Sequence, residues 1–293
     1  MKMSKMLFSR RRPLRILTMN IWGFSAPYAA RMRLLRDGIR RLDPDLMAFQ
    51  EAGFTREKHQ VAETLQGLGY HILHQFEHSG SFGCPEDGMC IASRWPMKLA
   101  EVLSLQLTKR ARGVPYAALA VKVAAPEPAG QLLFVNAKPS WELSAERERE
   151  LQAVAMARMV ERHSSLDGFP PIIAGDFDAT PDAASIRFLT GQQSLNGMSV
   201  SYGDAWDQGG DGTGGYTWTY RNPGARISLD RWKVGRRHER RIDYIFLGWP
   251  RYFKKYARVR RCRVELNRPT KGTWPSDHFA VYAEIDVISP SQS

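Results

Sequence analysis

At 293 residues, with 43% apolar and 25% charged residues, the chain is long enough for a sizeable core, and large sandwich folds reach this length as one domain. No stretch approaches the ~18 uninterrupted apolar residues of a membrane-spanning helix, and basic Met1–Arg15 lacks the apolar centre of a secretion signal. The net charge of +12 is placed unevenly: Arg221–Arg263 holds 15 Lys and Arg against three acids, Asp230, Glu239 and Asp243.

That basic segment favours a polyanionic partner such as nucleic acid, a phosphoinositide head group or an anionic surface, against the plainer reading of a solvated face. Cys84, Cys90 and Cys262 show no metal-type spacing and no disulfide framework, although Cys84 and Cys90 flank one short loop and could meet. The cytoplasm is therefore the expected compartment. We expect a basic tail over 1–13, one domain over 14–287 and a short tail over 288–293.

In chain order, Leu14–Asn20 reads as a strand, and Met32, Leu35, Ile39 and Leu42 give Ala29–Leu42 the spacing of a helix, stopped at Asp43-Pro44. Asp45–Phe49 reads as a buried strand delivering Gln50-Glu51, followed by a helix around Lys58–Leu68. Strands are expected at Tyr70–Gln75, Gly88–Ser93, Lys98–Leu105, Tyr116–Val123 and Gln131–Asn136, with His78–Asp87 as a loop. Ser144 is placed to cap a helix running to about Arg162. Gly203–Pro223 reads as polar loop, and its acids miss the positions of a calcium loop. Arg241–Leu247 and His278–Ile285 read as the closing strands, and no solenoid repeat is present.

The most informative stretch is Pro170–Asp182. A short apolar strand ends at Gly175, and Asp176 and Asp178 follow at a spacing of two, which in extended chain projects both to one side. Thr180 and Pro181 then open a helix. An Asx turn closing the strand is the plain alternative. Other apolar strands end in the same manner, at Asn20, at Glu51, at Asp243, and at Asp277 with His278. Oxygen donors without cysteine suit a hard cation, Mg²⁺ or Mn²⁺.

Five segments in order, Leu17–Trp22 (LTMNIW), Leu46–Glu51 (LMAFQE), Ile173–Pro181 (IAGDFDATP), Arg241–Phe246 (RIDYIF) and Ser276–His278 (SDH), resemble the successive motifs of the endonuclease/exonuclease/phosphatase superfamily. The resemblance covers about Arg15 to Ile285. It implies an α+β fold, a four-layer α/β/β/α sandwich of two stacked mixed sheets flanked by helices, and a divalent-metal-dependent phosphoric-ester hydrolase, either a phosphodiesterase or nuclease or a phosphatase. Glu51, helped by Asn20, would hold the ion, with Asp277 at the metal side. Asp176 would orient or deprotonate water. His278, oriented by Asp243, would serve as the acid/base partner or contact the phosphate.

Two positions depart from the family pattern. Lys138 stands where the family has histidine or tyrosine, two residues after Asn136, and Asp178 stands where the central motif ends in asparagine. The paired change of charge suggests a compensating Lys138–Asp178 ion pair. Three readings stay open: retuned hydrolysis with Lys138 as a phosphate donor, a closed site that binds ligand or nucleic acid without cleaving it, or a scaffold repurposed for non-phosphate chemistry with a lysine of lowered pKa. Asn136, Arg112 (beside Gly113) and Trp218 are the candidate substrate contacts. Aromatic residues Trp22, Phe24, Tyr28, Trp141, Tyr216, Tyr220, Trp232 and Trp274 also fall near the expected mouth, where they could stack on a base, sugar or aromatic ligand.

Overall fold

The computed structural model describes residues 12–78, 87–234, 238–249, 253 and 255–288. The chain runs through β1 (Leu14–Asn20), α1 (Tyr28–Leu42), β2 (Leu46–Gly53), α2 (Gln60–Leu65), β3 (His71–His74), β4 (Asp87–Ser93) and β5 (Met97–Ser104). It continues with β6 (Ala117–Ala124), β7 (Gln131–Lys138), α3 (Glu146–His163), β8 (Ile172–Asp176), α4 (Ala184–Leu189), β9 (Tyr202–Asp204) and α5 (Ala205–Gly209). The last elements are β10 (Trp218–Thr219), α6 (Pro223–Trp232), β11 (Glu239–Arg240), β12 (Asp243–Gly248), β13 (Tyr256–Glu265) and β14 (Ala280–Ile288).

Two six-stranded mixed sheets form, in the orders β13-β14-β1-β2-β4-β3 and β5-β6-β7-β8-β12-β9, beside a small β10-β11 ribbon. Because strand side chains alternate, β1 sends Leu14 and Ile16 to the face between the sheets and Leu17 and Met19 to the outer face. The inter-sheet core adds Leu46, Ala48, Ile91, Leu119, Phe134, Ile172 and Ile245. Outside the first sheet, Leu35 and Ile39 of α1 cover Met19 and Phe49; outside the second, Met156 and Val160 of α3 and Phe188 of α4 cover Val135 and Phe246. Both sheets are thus buried on both faces, which is why their central strands read as unbroken apolar runs. This is the expected four-layer sandwich.

Several expectations needed correction. Gly203–Pro223 is not all loop: β9, α5 and β10 lie within it, and α6 starts at its end, capped by Asn222. Strand β13 was not foreseen. It is an edge strand whose outward Arg258, Arg260 and Arg263 pair with Asp286, Glu284 and Glu265, so much of the basic surplus there is neutralised locally. Ser144 does not cap α3, because its hydroxyl accepts from Arg110. Helix α4 begins at Ala184, one turn later than expected. Cys84 lies outside the described residues, while Cys90 and Cys262 are buried free thiols.

Candidate functional site

Strand directions explain why the polar strand ends meet. Strands β1 and β2 are parallel, β7 and β8 are parallel, and β12 and β14 run antiparallel to β8 and β1. The C-terminal ends of β1, β2, β7 and β8 therefore face the N-terminal ends of β12 and β14. Asn20, Glu51, Lys138, Asp176, Asp243 and His278 all fall on this one rim, and Asp243 sits directly opposite Asp176 in register. Gly175 allows the close approach of β7, since a Cβ there would lie 2.1 Å from the Ala137 carbonyl oxygen.

Asp176 is the hub. Its Oδ2 accepts from Lys138 Nζ at 2.6 Å and from Asn20 Nδ2 at 3.0 Å, and lies 3.8 Å from His278 Nε2. Its Oδ1 accepts from the backbone N–H of Asp178 at 3.2 Å. His278 Nδ1 lies 3.0 Å from Asp243 Oδ2, so the imidazole is held between two carboxylates. Lys138 also donates to Asp178 Oδ2 and lies 3.9 Å from Glu51 Oε1. The anticipated Lys138–Asp178 pair thus exists within a cage of three carboxylates. Asn20 Nδ2 also donates to Glu51 Oε1 at 2.8 Å, while its own oxygen accepts from Trp22 N–H.

Burial alone would discharge His278 and Lys138, but the surrounding carboxylates outweigh it. Asp243 and Asp176 hold the His278 imidazolium well above its usual range, and Asp176, Asp178 and Glu51 do the same for the Lys138 ammonium. For Asp176 burial is likewise overcome, by Lys138 and His278, and its carboxyl is held down at about 2. Burial dominates at Glu51, pushed up to about 7 with help from the charge of Asp277, and at Asp243, pushed up to about 6. Asp178 is also raised, by burial and by the charge of Asp176.

Local backbone geometry aims these groups. A bulge in β2 between Phe49 and Ala52 leaves Glu51 at φ +48°. Asp178 has φ +50° and Trp22 φ +55°. The carboxylates of Asp176 and Asp178 converge through this left-handed turn rather than through the extended alternation expected from their spacing. Arg31, fully buried in α1, donates to the carbonyls of Ile21, Ser25 and Pro275, the last at 3.1 Å. It thereby joins the loop after β1 to the segment carrying Asp277 and His278.

The sequence profile described as the Endonuclease/Exonuclease/phosphatase family matches residues 17–278. The chain belongs to this family. Comparison with curated protein sequences gives no match. Among solved structures, D. rerio TDP2 complexed with a single-strand DNA product superposes with a TM-score of 0.68 at 17% identity, covering 93% of this chain and 98% of that one. The human Nocturnin catalytic domain with bound sulfate gives 0.65 at 20% identity, covering 94% and 95%. An endonuclease/exonuclease/phosphatase from Beutenbergia cavernae gives 0.67 at 21% identity, covering 94% and 72%. At these identities the likeness is one of fold.

Against the family pattern, the structure brings together Asn20, Glu51, Lys138, Asp176, Asp178, Asp243 and His278. Asp277 lies beside them with its Oδ1 3.1 Å from Ser276 Oγ. Trp218 is buried with its ring centre 6.2 Å from that of His278. Two candidate substrate contacts fare differently. Asn136 is fully buried between the sheets, where it accepts from Gln50 and donates to the carbonyls of Phe49 and Cys90. It braces the β2 bulge and does not face the cleft. Arg112 is exposed, and it is the neighbouring Gly113–Tyr116 that line the cleft.

Arg31 leaves one signal in the sequence, a charged residue on the apolar face of α1. Arg240, which in sequence belongs to an arginine run that could track a phosphate backbone, is instead buried, donates to the Asp178 carbonyl at 2.6 Å and lies 4.0 Å from Asp178 Oδ1.

The donors fit a hard divalent cation at Glu51. Its side chain keeps 34% exposure and borders a cleft of about 270 Å³. Its carboxyl is raised in part by the charge of Asp277, a repulsion that a cation would relieve. Among the described residues, the one group of three potential ligand side chains with atoms within 4.8 Å of one another is Asp176, Asp243 and His278. There the imidazolium already supplies the counter-charge.

Proposed function

We propose that the chain is a metal-dependent phosphoric-ester hydrolase, a phosphodiesterase or nuclease or else a phosphatase. Family membership supports phosphoester hydrolysis in general. The observation that carries the finer reading is the buried Asp243–His278–Asp176 line beside Glu51. Glu51 and Asp277 would hold Mg²⁺ or Mn²⁺, with Asn20 steadying Glu51. When bound, such an ion neutralises phosphate charge and acidifies water.

His278 is the cation at the reacting phosphate. Held protonated by Asp243, it donates to a phosphate oxygen or protonates the leaving oxygen. Asp176, with its carboxyl near 2, is too weak a base to take a proton near neutrality, so it orients the attacking water. Lys138 offsets the charge of Asp178 and leaves Asp176 ionised. Its raised pKa argues against a nucleophilic lysine, and with it against the repurposed-chemistry reading.

The carboxylate cage around Lys138 favours one second reading: a site that binds phosphoesters or nucleic acid without cleaving them. Hydrolysis of plasmid DNA and of bis-p-nitrophenyl phosphate, with Mg²⁺ or Mn²⁺ and with EDTA, separates the two. Metal-dependent cleavage lost in Glu51→Ala supports the hydrolase. If only the double variant Lys138→His/Asp178→Asn cleaves, the pair has closed the site. Silence from every variant would overturn the hydrolase reading.

A further inference from the structure

Trp141 is 37% exposed and lines the same cleft as Glu51, Lys138 and Tyr116. It stacks on Trp232 at 5.5 Å and 14°, and Trp232 packs on Trp218, which neighbours His278. A continuous aromatic wall therefore runs from the His278 imidazole to the open cleft.

The loop that presents Trp141 is fixed from behind. Arg149, 4% exposed, donates to the carbonyls of Ser140, Glu142 and Leu143, while Gln152 bonds both the N–H and the hydroxyl of Ser140. The Tyr116 hydroxyl accepts from the Trp141 N–H at 3.4 Å. Burying a guanidinium to hold a surface loop is costly. Its effect here is to present an indole ring with little left to lose in conformational entropy, which is what a stacking platform requires.

We propose that Trp141 is a stacking subsite for a planar aromatic group carried on the substrate's phosphate, either a nucleobase or a phenyl ring. The inference deepens the hydrolase reading by naming the class of ester, but stacking needs no turnover. Lys138 and Trp141 border one cleft, so a phosphate beside Lys138 leaves its adjoining group in the space that the indole lines. Base–aromatic stacking typically contributes ~1–3 kcal/mol per base, which converts to a preference of about fivefold to about 150-fold.

Equilibrium binding of AMP, phenyl phosphate and ribose 5-phosphate to the full chain with Mg²⁺ tests this. AMP should bind at least about fivefold more tightly than ribose 5-phosphate. Trp141→Ala should abolish that difference while changing ribose 5-phosphate binding less than twofold, and Trp141→Phe should retain most of it. A phenyl phosphate affinity like that of AMP would identify any planar ring as the ligand, and one like that of ribose 5-phosphate would identify the nucleobase. Equal binding of AMP and ribose 5-phosphate, a preference that survives Trp141→Ala, or no binding of any of the three would overturn the proposal. A Trp141-dependent preference in a chain that hydrolyses nothing would leave this inference standing and remove the hydrolase reading.

Discussion

The side-chain amide of Asn136, in β7 of the second sheet, donates to the carbonyl of Phe49, in β2 of the first, at 2.8 Å. Phe49 is where the register of β2 with β4 breaks, and Glu51 follows two residues later in a left-handed conformation. One buried amide therefore satisfies an inter-sheet carbonyl at the bulge that turns Glu51 to the rim. Asn136→Leu removes the donor to the Phe49 and Cys90 carbonyls and the acceptor of Gln50 Nε2, and should cost about 1–3 kcal/mol. Urea unfolding would measure this. A variant as stable as the parent would show that the bulge does not depend on Asn136.

Lys138 and Asp178 form a charge pair whose members depend on each other. Lys138→Met leaves Asp176 and Asp178 buried without their shared cation, and about 3–5 kcal/mol of stability should be lost. Adding Asp178→Asn should restore a large part. A double-mutant cycle by chemical denaturation reads the coupling directly, and additive single changes would contradict the pairing.

Glu51 links stability to pH. Its folded pKa of about 7 stands above the ordinary carboxylate value of 4.5, so the folded state keeps a proton that the unfolded state has already lost. Metal-free stability should therefore fall as pH rises from about 4.5 to 7. His278 acts in the same direction at higher pH: its raised pKa contributes stability that is present below 6.5 and lost as pH climbs through the folded value. Asp176 acts in acid, where its contribution disappears as pH drops from 3.8 towards 2. Melting curves in EDTA should show Glu51→Gln flattening the segment between 4.5 and 7, and Mg²⁺ should stabilise the parent more at pH 8 than at pH 5.

Arg31 is expected to be irreplaceable by lysine. Its planar guanidinium reaches the carbonyls of Ile21, Ser25 and Pro275 together, whereas a lysine ammonium has neither the fork nor the reach to bond all three. Arg31→Lys should lose about 2 kcal/mol or more and free the Pro275–His278 segment. Hydrogen exchange of the His278 amide would report the loosening, and unchanged protection there would reject the link.

Much of this was legible beforehand, because apolar runs ending in a single polar residue mark strands that deliver side chains to one edge. The rim residues from Asn20 to His278 follow from that pattern. Strand β13 escaped notice because, at a sheet edge, Arg258, Arg260 and Arg263 face outward and the segment reads as a basic run. The role of Asn136 was misjudged for a different reason. Its partners are carbonyls 46 and 87 residues away, and only the stacking of two sheets brings them to its amide. The cage around Lys138 was half visible, since the charge swap pointed to Asp178 and left Asp176 and Glu51 out.

Trp22, Glu51 and Asp178 share one rim, and each holds a positive φ that residues other than glycine adopt reluctantly, at a cost of order 1–3 kcal/mol apiece. Selection for heat resistance alone should therefore accept glycine or asparagine at these three positions, as it should at Lys233, Leu266 and Lys271, which share the conformation. On the proposed function, only the replacements at the rim would also blunt the chemistry, so a screen that scored activity beside heat resistance would keep the strain there and release it elsewhere.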